Sequence, residues 1–180
     1  VFSSNPVLYK DMSRRVIETL QHFSPEVEQY SIDEAFLGLH GFTHQHLTDY
    51  GQQIRTTVKQ WTGIPVSVGI APTQTLAKLA AHVAERNPDL HGVLDLTTVS
   101  NLDPILAAID VGKVWGIGRN LKAKLNALGI NQVLTEQPIL ARTRIAGEGH
   151  AGRRVVAAVA EHHGADVDGG TVGHIGGDVE

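Results

Sequence analysis

Residues Tyr30 to Leu39 read YSIDEAFLGL, an apolar, β-branched and aromatic run of strand character with Asp33 and Glu34 set side by side inside it. Adjacent carboxylates repel each other and lose hydration when covered, so something must compensate them. In one uninterrupted strand, successive side chains face opposite sides of the sheet, and the two acids could not easily address one site. Splitting the run into VEQYSI and AFLGL, with the acids in the connection, predicts a hairpin whose tip bears both. Asp-Glu is poor chemistry for a free-standing tight turn, where Gly or Asn is preferred. Such a local inconsistency is expected at a functional site. Two readings stand at this point: an exposed loop whose acids sit in water, or a pair gripping a hard divalent cation such as Mg²⁺, which takes one or two carboxylates plus waters and phosphates.

Outward from this stretch the elements follow from spacing. Asn5-Pro6 is a helix start, and Leu8, Met12, Val16 and Leu20 recur at helical intervals until Ser24-Pro25. Leu47, Tyr50, Ile54, Val58 and Trp61 mark a second amphipathic helix ended by Gly63. The segment IPVSVGI alternates as a strand, Thr73 can cap a third helix through Leu76, Leu79 and Val83, and HGVLDL is a further short strand. The predicted fold class is α+β: a sheet with helices packed on it, then a small helical unit. That unit begins near Asp103 and centres on VGKVWGIGRNLKAKLNALGI, two apolar helical patches around the tight turn Gly116-Ile117-Gly118.

Bulk composition narrows the function classes. With 42% hydrophobic residues among 180, a real core is affordable, and the absence of cysteine removes disulfide and thiolate-metal chemistry. No run approaches the ~18 apolar residues of a membrane span, and the N-terminus lacks a signal-peptide pattern, so a cytoplasmic location with no membrane partner is expected. A formal net charge of -4 argues against a uniformly basic nucleic-acid surface. Locally the balance reverses: between Val111 and Ile130 the charges are Lys113, Arg119, Lys122 and Lys124, with no acid among them. His44-Gln45-His46, His162-His163 and the tail pair Asp166 and Asp168 lack the spacing or the surroundings of a metal site.

YSIDEAFLGL, together with FSSNPVLYKDMSRRVIETL before it and GIPVSVGIAPTQTLAKLA and VWGIGRNLKAKLNALGI after it, resembles the Y-family of translesion DNA polymerases, UmuC-type. The likeness covers roughly Val1 to Val133. It implies a palm-type sheet followed by a helix-hairpin-helix, the thumb element that grips duplex backbone. It implies Asp33 and Glu34 as catalytic carboxylates binding Mg²⁺ in a two-metal site, and Lys78, in the AKLA stretch, as a contact to the triphosphate of the incoming dNTP. Gly116, Gly118, Arg119 and Lys122 are then the DNA-binding residues of the helix-hairpin-helix. The implied reaction is template-directed nucleotidyl transfer on a DNA primer-template, in SOS-type repair. A UmuD-type accessory subunit, a sliding clamp and a recombinase filament are the implied partners of the full-length protein.

The chain departs from that pattern at both ends. The family's opening strand with a third aspartate and a steric gate, most of the fingers and the little-finger domain find no match, so a fragment with little or no activity alone is expected. The expected organisation is a partial palm with its preceding helix at 1–100, a partial thumb at 101–134 and a non-matching Gly/His-rich tail at 135–180, disordered and of aberrant origin. The rival reading is a non-catalytic DNA-binding fragment acting through the helix-hairpin-helix; a palm-type cyclase fits less well, having no duplex to hold.

Overall fold

The computed structural model of the chain describes residues 5–39, 42, 46–134 and 155–160. Helix α1 (Pro6–Leu20) starts as its sequence requires: the Leu8 amide donates to the Asn5 side chain at 3.2 Å, with Pro6 in the first turn, where its missing N–H costs nothing. Strands β1 (Val27–Gln29) and β2 (Glu34–Gly38) form an antiparallel hairpin, Gln29 opposite Ala35. Helix α2 (Leu47–Thr62) ends at Gly63, whose φ of 78° is the left-handed conformation glycine tolerates. Strand β3 (Val66–Ala71) leads into helix α3 (Gln74–Arg86), where Thr73 accepts the Leu76 amide at 3.3 Å, and then into β4 (Val93–Asp95), parallel to β3.

The fifth strand overturns an expectation. Residues 155–160, within the tail expected to be disordered, form β5 (Val155–Ala160) in the middle of the sheet, whose order is β1-β2-β5-β3-β4. It runs antiparallel to both neighbours, with Ala158 opposite Ala35 on one side and Val68 on the other. The physical reason is its composition. VVAAVA is a continuous run of small and β-branched residues, the pattern of a strand covered on both faces, and Val156, Ala157 and Ala158 are buried. The remaining tail, with His162-His163, Asp166 and Asp168, lies outside the described residues, as do His44 and Gln45; His46 is exposed just before α2.

Helices cover both faces. Leu20, Ile54 and Val58 of α1 and α2 pack with Leu37, Val68 and Ile70 on one side. On the other, Leu79 and Ala80 of α3 pack with Phe36, Ala71 and Ala157, joined by Ile109 and Val133. Gly69 sets the closeness of α3: a Cβ there would lie 2.0 Å from the Ala77 carbonyl oxygen, so any larger residue would push the helix off the strand. β3 is therefore buried along its whole length, although its sequence alternates.

After α4 (Asp103–Ala107) comes a single 3-10 turn (Val111–Lys113), then the glycine turn and α5 (Arg119–Ala127). The first of the two expected helical patches around the turn is thus only one 3-10 turn. The chain beyond α5 returns to pair with its own start: the Val111 amide donates to the Asn131 carbonyl and the Val133 amide to the Ile109 carbonyl, each at 2.9 Å.

Candidate active site

The hairpin places the two acids differently from each other. Residues 30–33 form the connection, closed by the Tyr30 and Ser31 amides, which donate to the Glu34 carbonyl at 3.0 and 3.1 Å. Asp33 lies in that connection, whereas Glu34 is the first residue of β2, so the expectation of both acids at the tip holds for Asp33 alone. The cause is pairing on the far side of β2: Glu34 stands opposite Val159 of β5, and the Ala160 amide donates to the Asp33 carbonyl at 2.9 Å.

Alternation along β2 turns Ala35 and Leu37 toward α1 and α2, and Phe36 toward α3. Glu34 shares the Phe36 side. There the Lys78 ammonium of α3 reaches its Oε2 at 2.9 Å, with the side chains only 16% and 26% exposed for acid and lysine. The same ammonium stands 5.3 Å from the centre of the Tyr30 ring, within cation–π range. The structure thus joins two residues that sequence had singled out for different ligands, 44 positions apart. Asp33 is not part of that ion pair: its Oδ1 accepts the Ser31 hydroxyl at 2.5 Å. Residues 33 and 34 also border a cavity of about 310 Å³ between the hairpin, α1 and β5, beside Tyr9, Met12 and Ala158, on the face of β2 opposite to Lys78.

The residue types present are those a hard divalent cation of the open kind takes. They offer carboxylates from consecutive residues, one of which already holds a positive charge, and leave further positions to water and substrate phosphates. They do not make a closed cage, since the described residues contain no group of three or more His, Asp or Glu able to hold an ion.

The glycine turn is built by backbone geometry. The Ile117 amide donates to the Val114 carbonyl at 3.0 Å, and Gly116, at φ 85°, occupies the turn position that excludes most side chains. Gly118 has no such requirement. It sits before α5 at φ −79°, and a Cβ there would meet nothing within 4 Å. Neither conformation nor internal crowding calls for glycine at 118. Arg119 is exposed and makes no ion pair with a described residue. Lys122 is differently placed from expectation, its ammonium lying 2.8 Å from Asp110 Oδ1. That lysine, with the Gly112 amide, holds the Asp110 carboxyl below the usual carboxylate range.

Two residues that sequence reasoning left unassigned join these regions. Trp115, next to Gly116, donates its indole N–H to the Tyr30 hydroxyl at 2.8 Å, with the rings edge to face at 4.8 Å. Both lie within the stretches already quoted, but only the folded chain brings them together.

Comparison with known proteins gives these arrangements a context. The profile of the impB/mucB/samB family matches residues 1–82, and that of the IMS family HHH motif matches residues 99–130. Protein UmuC of Salmonella typhimurium is 51% identical over 135 residues, covering 74% of this chain and 32% of UmuC. DNA polymerase IV of Xanthomonas euvesicatoria is 37% identical, covering 73% of this chain and 36% of the relative. The chain therefore spans about a third of the length of the curated relatives it matches. Among solved structures, a DinB family error-prone DNA polymerase from Sulfolobus solfataricus superposes with a TM-score of 0.61 at 26% identity, over 74% of this chain and 40% of the other. An insertion ternary complex of Dbh DNA polymerase gives 0.60 at 26% identity, over 72% and 37%.

Proposed function

The chain belongs to the impB/mucB/samB family, of UmuC and the Y-family DNA polymerases, and we propose that it serves template-directed nucleotidyl transfer across damaged DNA. The observation that carries this reading is the Glu34–Lys78 pair at 2.9 Å beside Asp33. A carboxylate site for cations and an ammonium for phosphate stand within one side chain's reach, as a nucleotide's triphosphate with its counter-ions requires.

Asp33 and Glu34 would hold Mg²⁺. Such an ion would supply positive charge for activating a primer 3′-hydroxyl and for stabilising a leaving pyrophosphate. The protein's own contributions are separable. The hairpin fixes the backbone of both acids against β5: Glu34 pairs with Val159, and Asp33, in the connection, accepts the Ala160 amide on its carbonyl. Lys78, on a four-carbon stem, acts as a point charge for the triphosphate. Gly116 shapes the turn, Gly118 leaves room above the first turn of α5 for a backbone phosphate, and Arg119 supplies an exposed charge. Lys122 contributes less than its charge suggests, because Asp110 already holds it. These phosphate contacts carry affinity without sequence preference, which suits an enzyme that accepts altered templates. A role in the SOS response, beside a UmuD-type subunit, a sliding clamp and a recombinase filament, belongs to the same proposal and rests on family likeness alone.

Primer extension with Mg²⁺ on a damaged template tests the reading. Little or no product is expected from the 180-residue chain, and clear extension from a fusion that restores the length of a UmuC-type relative. In the fusion, Asp33→Asn or Glu34→Gln should cut extension by about 10²–10³, on the order seen when a group stabilising transition-state charge is removed, and leave duplex binding intact. Duplex binding without extension in the unsubstituted fusion would favour the non-catalytic, DNA-gripping alternative.

A further inference from the structure

We propose that Tyr30 and Trp115 are positioning residues that lock the glycine turn to the carboxylate hairpin, so that duplex backbone held at one stands in register with the chemistry at the other. The inference rests on the function proposed above. Trp115 belongs to the turn closed by the Ile117–Val114 hydrogen bond, immediately before Gly116, and so moves with the start of α5. Its indole N–H binds the Tyr30 hydroxyl at 2.8 Å, and its ring stacks on Phe36 with centres 5.9 Å apart and planes 28° apart. Tyr30 and Phe36 flank the acids within the hairpin: the Tyr30 amide donates to the Glu34 carbonyl, and Phe36 lies two residues beyond Glu34 in β2. Trp115 is thus held at both sides of the acid site. Tyr30 in turn places its ring 5.3 Å from the Lys78 ammonium.

Exposure argues that this contact orients more than it stabilises. Tyr30 and Trp115 remain 44% and 37% exposed, so water competes for their hydrogen bond, and phenylalanine at either position keeps an aromatic ring in the cluster. Adhesion between the two regions is already supplied by Ile109 and Val133, buried against α3. What the aromatic pair adds is direction: an indole donor, an edge-to-face ring and a stacked ring together define one orientation of the turn.

The test uses the full chain and three variants, Tyr30→Phe, Trp115→Phe and their double substitution, with Trp61→Phe as control; Trp61 is exposed on α2, against His22. Each is examined by urea unfolding, by the indole and backbone amide resonances of residues 115–121, and by anisotropy titration of a labelled primer-template at fixed salt. Tyr30→Phe should move the Trp115 indole resonance and the amides of the turn. Each single variant should bind duplex about fivefold more weakly, the equivalent of ~1 kcal/mol for one hydrogen bond, with its unfolding midpoint retained. The double variant should be no weaker than either single one, because both remove the same bond. An unmoved indole and turn in Tyr30→Phe overturns the proposal, as does wild-type duplex affinity in all three variants. Failure of the unsubstituted chain to bind duplex would instead sink the functional reading, and this inference with it.

Discussion

Replacing Lys78 by Met should change two affinities in opposite directions. The methionine keeps the stem's bulk and removes the charge from beside Glu34. At 2.9 Å the Coulomb attraction is ~1.4 kcal/mol with the dielectric of water and ~5.7 kcal/mol at an effective value of 20. Desolvation and the ordering of a long side chain return most of the larger figure, leaving a net ~1–2 kcal/mol for a pair that is mostly covered but still open to water. In the unsubstituted chain any divalent ion at Glu34 competes with this ammonium. Removing the competitor should tighten Mn²⁺ binding, followed by electron paramagnetic resonance, by roughly five- to thirtyfold at pH 7. Nucleotide binding in the presence of metal should weaken by a similar factor, since its phosphates lose a partner. Glu34→Gln should abolish the gain in metal affinity. Unchanged or weaker Mn²⁺ binding in Lys78→Met would refute the reasoning, and leave the pair as an ordinary ion bridge between α3 and the hairpin.

Gly118→Ser should leave the unfolding midpoint equal or slightly raised, because serine can cap α5 where glycine makes no cap bond, yet weaken duplex binding about fivefold; equal affinity in anisotropy titrations would remove the case for phosphate approach there. Val156→Asp should cost ~3–5 kcal/mol in urea unfolding, since it places an unpaired carboxylate in the centre of the sheet, whereas a normal midpoint would put β5 outside the fold. Burial, aided by Lys113 and Arg86, lowers the His82 pKa from its ordinary 6.5. Its unfolded form therefore takes up a proton first. Stability should be full above about pH 6.5 and fall as pH drops through the folded value, and His82→Gln should flatten that part of the profile.

Much of the architecture was legible locally. Asn5, Thr73 and Gly63 mark helix ends because capping is decided within a few residues, and the structure finds each of them in that role. The hairpin was legible for the same reason. The placement of Glu34 inside β2 was not, because it depends on pairing with Val159, a residue supplied by a distant segment. VVAAVA has the composition of a covered strand, but its place was not legible for a related cause: a run without alternation, amid Gly and His, does not say which strands it lies between, and that is set by the gap between β2 and β3. At the site, Glu34 and Lys78 were each visible as chemistry, but their pairing needs a helix and a strand brought face to face. Lys122 was legible as a cation for DNA, but its ion pair was not, because the basic window runs from Val111, one residue past its partner Asp110.

The central position of β5 also dictates an order of events in the cell. Residue 34 must find residue 159, and residue 66 must find residue 160, so the sheet cannot close until the chain has been made past residue 160. Until then β2 and β3 each present a row of unsatisfied amides and carbonyls to solvent, two adhesive edges at once. Such late, long-range closure slows folding and lengthens exposure to aggregation. Translation halted shortly before Val155 should therefore yield a sticky, chaperone-bound intermediate in place of a smaller working protein.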